Sequence, residues 1–160
     1  MNEEIVDQDE LAHLISKEQT NLNTHMKINT NFCGEVVEIK SGYARVVLET
    51  LEVMRADDVG MVHGGFIFGA ADFAAMAAVN EPNVVLGSCT CVFLSPVRVG
   101  DTVTFIAEEH QKEGKKRTVI VKAYVYDIKV FEGEFKTIIT DRHVLRLDLL
   151  ENIEEIGKAV

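Results

Sequence analysis

Basic residues are in short supply in this 160-residue chain, where sixteen Lys and Arg stand against twenty-six Asp and Glu, giving a formal net charge of −10. Nucleic-acid phosphates are held by basic surfaces, so this balance opposes nucleic acid as a partner. Cysteine is scarce too, with only Cys33, Cys89 and Cys91. An odd number builds no complete disulfide framework, and Cys-x-Cys lacks the second Cys or His pair of a metal site. The thiols therefore read as reduced interior residues, and no metal or redox cofactor is expected. The opening Met1-Asn2-Glu3-Glu4 has no basic n-region and no apolar run close behind it, so a cytoplasmic protein without a secretory leader is expected. One apolar stretch, from Met61 to Val79, approaches spanning length, but it holds His63, Asp72 and several glycines, which argues against membrane insertion. The sequence carries no repeat, low-complexity segment or interdomain linker.

The length suits one domain, since a chain of this size buries about 70% of its unfolded surface. Residues 1–30 read as an acidic start followed by an amphipathic helix, with Leu11, Leu14, Ile15 and Leu22 at helical spacing. Val-rich segments at 34–39 and 43–48 flank Lys40-Ser41-Gly42 and predict a hairpin. After a loop over 49–62, a helix is predicted from Gly64 to Asn80, stopped by Asn80-Glu81-Pro82. It is apolar on nearly every side, so sheet must wrap it. Strands follow at 84–94, 102–111, 117–127 and 130–140. Two strands, one buried helix and a run of strands predict an α+β fold, an antiparallel sheet curled around a long helix over residues 31–142. The tail, 143–160, places Leu149, Leu150, Ile153 and Ile156 on one helix face.

The helix carries the chemistry. In Val62-His63-Gly64-Gly65-Phe66-Ile67-Phe68-Gly69-Ala70-Ala71-Asp72-Phe73-Ala74 a single carboxylate sits among apolar neighbours. Burying an acid there raises its pKa unless it finds hydrogen bonds, so structure alone would favour alanine at position 72. Gly64 and Gly65 open the helix, where backbone N–H groups are free and the dipole is positive. Without Cβ atoms, they let a ligand carbonyl approach closely. Asp72 lies eight residues beyond Gly64, roughly 12 Å along the axis. A symmetric pair of helices would bring one protomer's N–H to the carboxylate of its partner.

The His-Gly-Gly, six-residue, Asp pattern resembles the central-helix motif of hotdog-fold acyl-CoA thioesterases, particularly their phenylacetyl-CoA thioesterase branch. The segment Ser88-Cys89-Thr90-Cys91-Val92-Phe93-Leu94-Ser95-Pro96, followed by Val99-Gly100-Asp101-Thr102-Val103, is similar to that family's strand, turn and hairpin. The resemblance implies that the Gly64 N–H polarises a thioester carbonyl and that Asp72 activates water or attacks directly. It further implies a coenzyme A thioester as substrate and a homodimer or dimer of dimers. Residues 34–48 and Gly114-Lys115-Lys116-Arg117-Thr118-Val119 resemble the effector domain of fatty-acid-synthesis repressors, hotdog domains that bind malonyl-CoA without hydrolysing it. A non-catalytic acyl-CoA sensor acting through a partner protein is therefore the alternative. The repressors' DNA-binding part finds no room here, and their sensor domains lack the acid that Asp72 supplies. A dehydratase reading has no support in the sequence.

Further candidates carry more than one reading each. His63 either supports the loop, lines a CoA channel or moves a proton. Gly64 and Gly65 serve tight helix entry as well as ligand approach. Ser88 and Thr90, on the strand face opposite Cys89 and Cys91, either position a water or are ordinary strand hydroxyls. Lys112, Lys115, Lys116 and Arg117 form the densest basic patch, either binding CoA phosphates or forming a solvated turn, and Arg98 is a similar candidate. Asp57 and Asp58 stand where some family members use an amide, and their charges would raise the Asp72 pKa if close. Met76 replaces a hydroxyl used one turn after the acid in one hotdog branch.

Overall fold

A computed structural model describes residues 21–147. The long helix, α2 (Gly64–Val79), buries Ile67, Ala70, Ala71 and the whole run from Phe73 to Ala78. A helix so apolar is stable only inside a covering layer. A six-stranded antiparallel sheet supplies that layer, with strands β1 (Glu35–Lys40), β2 (Tyr43–Glu49), β3 (Val84–Phe93), β4 (Thr102–Glu113), β5 (Lys116–Val125) and β6 (Ile128–Ile139) in the order β1-β2-β4-β5-β6-β3. This is the α+β hotdog architecture expected from the sequence, and each element begins and ends within three residues of its predicted bounds. The inward faces of the sheet are aliphatic and phenyl, with Val46, Leu48, Phe105, Val119, Val121, Phe131 and Phe135 fully covered. Small side chains on the helix, mostly alanine, let these larger groups close on it.

Irregularities in the ladder set the curl. The register slips between Val36 and Glu38, between Leu86 and Ser88, and between Glu109 and Gln111. Each extra residue bends its strand and increases the local twist. The slip in β3 has a second effect, because it changes which side chains face inward. Val84 and Leu86 pack on the core before it, and Cys89 and Cys91 after it.

A four-residue helix, α1 (Thr30–Cys33), precedes β1 and was not predicted. Its Phe32 ring lies 6.2 Å from that of Phe66 on α2. The helix stops at Gly34, whose φ of +83° is left-handed and whose Cβ, were there one, would lie 2.7 Å from both Val46 Cγ1 and the Val47 carbonyl oxygen. At the far end of α2, left-handed Asn80 caps the helix, while its side chain accepts from the Asn23 N–H and donates to the Asn21 carbonyl. Leu22 packs against the core. The remainder of the predicted amphipathic helix, with Leu11, Leu14 and Ile15, and the C-terminal face of Leu149, Leu150, Ile153 and Ile156 lie outside the described residues. Residues 144–146 form one 3₁₀ turn. Gly34→Ala combines a disfavoured backbone with a steric overlap, and urea denaturation should show a loss of about 3 kcal/mol.

Candidate active site

The approach to α2 is built by one carboxylate. Asp57 Oδ1 accepts from the N–H groups of Val59, Gly60 and Met61, at 2.9 to 3.1 Å. These bonds, that to Met61 foremost, hold its pKa below the usual carboxylate value. Arg55 ties the same loop by donating to the carbonyls of Asp57 and Asp58 and to Glu52. The His63 N–H then donates to the Met54 carbonyl at 2.9 Å and the Val62 N–H to that of Val97 at 2.8 Å, so the helix starts at a fixed point. The condition on which Asp57 and Asp58 would raise Asp72, that they lie close, is not met: the Asp57 charge is spent on the loop, and burial is what raises Asp72.

At that start, neither the Gly64 nor the Gly65 N–H finds an acceptor among the described residues, and the His63 side chain provides no cap. The missing Cβ atoms are needed. A Cβ on Gly64 would sit 3.3 Å from Phe93 Cε1, and one on Gly65 would sit 3.0 Å from His63 Nε2. His63 is exposed, folds over Gly65 and meets the Phe66 ring edge-on at 6.2 Å. The site therefore holds His63 by packing, and its imidazole makes no hydrogen bond among the described residues.

Gly64 opens on a cleft of about 270 Å³ lined by Met61, Val62, Ile67, Phe93, Leu94 and Pro96, among others. Phe93 is 55% exposed at its mouth, with its ring edge-on to Phe131 at 5.3 Å. Beside this cleft Arg98 lines a second one with Val59, Met61 and Pro96. Its backbone is fixed by Asp101, and its guanidinium has no partner among the described residues.

Two turns deeper, Asp72 lies on the one face of α2 that is not covered, together with Gly65, Phe68 and Gly69. A Cβ on Gly69 would meet nothing within 4 Å. This open face borders edge strand β3, where Cys89 pairs with Phe135, whose ring in turn stacks on Phe68 at 5.8 Å. Asp72 Oδ1 is buried and has no hydrogen-bond partner among the described residues. Burial pushes the carboxyl up to about 6. Its charge reaches Cys33 and Cys89: the Cys33 thiol is pushed up by burial first and by Asp72 second. Cys89 is pushed up to about 12 by burial, the Cys91 thiol beside it and, less, Asp72.

Other expected site residues are not brought here. The slip at Gly87 turns Ser88 and Thr90 outward, opposite Lys136 and Glu134, and leaves Cys89 and Cys91 packed on the core, as expected of interior thiols. The basic patch is at the other end of the sheet: Lys116 pairs with Ile138, whereas Phe93, beside Gly64, pairs with Phe131 and so aligns with Ala123. Seven strand residues separate the two, about 23 Å. Arg117 is 8% exposed and donates to the Gly114 and Lys116 carbonyls at 2.6 and 2.9 Å, so it closes the hairpin. Lys115 pairs with Asp141 at 2.6 Å, and Lys116 is exposed. Within one protomer, this patch cannot serve a ligand at Gly64. Sequence reasoning missed Phe93 as a wall of the site. No group of metal-binding side chains occurs among the described residues.

A curled sheet around a helix, with a bare helix start at an apolar cleft and an acid on the open face, defines a hotdog protein. Residues 59–129, a little under half of the chain, match the model of the thioesterase superfamily. It is 45% identical to an uncharacterized protein, PH1136, from Pyrococcus horikoshii, with a TM-score of 0.79 over 79% of this chain and 98% of that one. Among curated proteins, it is 50% identical over 117 residues, 73% of the chain, to a methylthioribose-1-phosphate isomerase of Aquifex aeolicus, of which it spans 26%. It is 29% identical over 118 residues, 73% of the chain, to the transcription factor FapR of Thermoanaerobacter sp. (strain X514), of which it spans 59%. No described helix is long and apolar enough to cross a membrane.

The raised Asp72 pKa has a sign for stability. The folded state binds the proton more tightly than the unfolded state, so Asp72 costs nothing below pH about 4 and destabilises increasingly as pH rises to about 6. With partial exposure discounted, Asp72→Asn should stabilise the protein by about 2 kcal/mol at pH 8 and have little effect at pH 4, as read by thermal denaturation at both values.

Proposed function

We propose that this protein binds an acyl-CoA and hydrolyses its thioester. The observation that carries this reading is the buried Asp72 oxygen on the uncovered face of a helix, which like the first N–H groups of that helix has no partner among the described residues. Such unmatched polarity is costly to fold and gains a purpose only when a ligand completes it. The thioester carbonyl oxygen accepts from the Gly64 N–H. Asp72 takes a proton from water as the water oxygen attacks the carbonyl carbon, and the N–H stabilises the oxyanion of the tetrahedral intermediate. Collapse breaks the C–S bond, and the CoA sulfur leaves with the proton that Asp72 held. Direct attack by the carboxylate, through an anhydride that water then opens, uses the same two groups.

Gly64 and Asp72 lie about 12 Å apart along one helix, too far to share a carbonyl. Strand β3 is an edge of the sheet, with one side of its ladder unpaired. Pairing of two β3 edges in a homodimer, or in a dimer of dimers, sets the Gly64 N–H of one protomer against the Asp72 of its partner. Arg98, exposed and unpartnered beside the Gly64 cleft, holds a CoA phosphate. With three free thiols, the protein works in the reducing cytoplasm.

A second reading has its own support. Among the described residues no hydroxyl, amide or imidazole hydrogen-bonds the buried Asp72 oxygen to help orient a water, and the match to a transcription factor covers 73% of the chain. Binding without turnover, read by a partner protein, fits that sparse site. Release of free CoA from short, aromatic and long acyl-CoAs separates the two. For the hydrolase, kcat/KM rises with pH through about 6 as Asp72 ionises. Asp72→Ala should lower it by at least about a hundredfold while calorimetry still detects binding, and Gly64→Ala should lower it about tenfold or more by displacing Phe93. Calorimetric binding with no CoA release from wild-type protein would establish the sensor.

A further inference from the structure

Ten glycines lie among the described residues, and nine of them have a reason inside the protomer. Five take a positive φ, and four others would press a Cβ to within 3.3 Å of a neighbouring atom. Gly69 does neither. It sits within α2, where a Cβ on it would meet nothing within 4 Å. Glycine weakens a helix interior more than any residue but proline, so alanine, which α2 uses at six positions, would fit at 69 and strengthen the helix.

Beside the missing side chain stands Asp72. Residues three apart on a helix hold their Cβ atoms about 5 to 6 Å from one another, as neighbours on one face. Helical side chains also lean towards the N-terminus, so the Asp72 carboxylate inclines over the turn that contains Gly69. Both residues lie on the uncovered strip of α2, and Asp72 Oδ1 is buried with no hydrogen-bond partner among the described residues. The open space at Gly69 thus adjoins an acid that awaits a partner.

We propose that Gly69 is a substrate-contact residue, left bare so that the thioester end of an acyl-CoA lies against the α2 backbone and reaches the Asp72 carboxylate. The proposal rests on the reading of Asp72 as the base of a thioester hydrolase and names the surface along which the substrate meets it. A thioester is planar and narrow, so the depth of one absent side chain admits it. A methyl group at 69 would lift the carbonyl carbon away from the acid, and a misplacement of about 1 Å costs a reaction as much as a hundredfold. The helix gives up stability here for access.

Gly69→Ala and Gly69→Leu test this by thermal denaturation, by CoA release, and by calorimetric binding of free CoA and of ketone analogues, with methylene in place of the thioester sulfur, that carry short and long acyl chains. Gly69→Ala should raise Tm by about 3 °C. It should also lower kcat/KM at least about tenfold, with Gly69→Leu lowering it further. Affinity for the analogues should fall in the same order, while that for free CoA, which has no acyl carbonyl to place, stays within about twofold. A glycine required only by the fold would give the opposite thermal shift. A lowered Tm overturns the proposal, as does turnover or analogue binding that both variants retain. Dissociation of an oligomer in the variants also overturns it, by making the strip a contact between copies of the chain. Wild-type protein that binds the analogues without releasing CoA from thioesters refutes the hydrolase reading, and analogue affinity then decides for or against Gly69. Wild-type protein that binds none of them refutes both.

Discussion

The structure depends on placing a nearly all-apolar helix inside a single sheet that covers it on every side but one. Alanine at positions 70, 71, 74, 75, 77 and 78 lets the strands come close enough to exclude water from most of its circumference. The sheet has two edges and cannot close completely, so a strip of helix along β3 stays open. Everything with chemical potential lies on that strip or at its ends: the bare N–H groups of Gly64 and Gly65, the small Gly69, and Asp72. The fold thus concentrates its unsatisfied polarity where it is also unsealed.

That polarity is held by a rigid surround. Asp57 spends its charge on three backbone donors to fix the loop, and Asp101 holds the Arg98 N–H at 2.9 Å across the same end. Asn80 binds the residues before α1 to the other end of the helix. Asp72, in contrast, receives no such bond. The difference between Asp57, held below its ordinary pKa by backbone donors, and Asp72, raised to about 6 by burial, shows how one side-chain type is kept charged as scaffolding in one place and given a raised affinity for protons in another.

Much of this was legible in the sequence. The helix and all six strands could be read because each has a long apolar pattern with clear turn residues between. Asp72 stood out because its neighbours in sequence are also its neighbours in space, as in any helix. What could not be read depended on phase and distance. Alternation along β3 says that Ser88 and Cys89 face opposite ways but not which face is inside, and the extra residue at Gly87 reverses the answer. The basic turn at 114–117 looked like a phosphate site because clustering in sequence reveals neither which end of the sheet a hairpin occupies nor that Arg117 is buried. Four-residue α1 is too short to show a helical period. Asp57 was read for its charge, when its place two residues before Val59 and three before Gly60 was the signal of a capped turn.

The bulge at Gly87 also limits what the open edge can join. An unpaired strand is a template for further strands, and an uninterrupted ten-residue edge would accept them in several alignments. Here the regular ladder is broken after Leu86, leaving six residues, Ser88–Phe93, as the longest uniform stretch. Any incoming strand is phased by that break, because sliding past it would bring donors against donors. The edge therefore favours a single alignment of whatever strand joins it, which narrows its choice of partners.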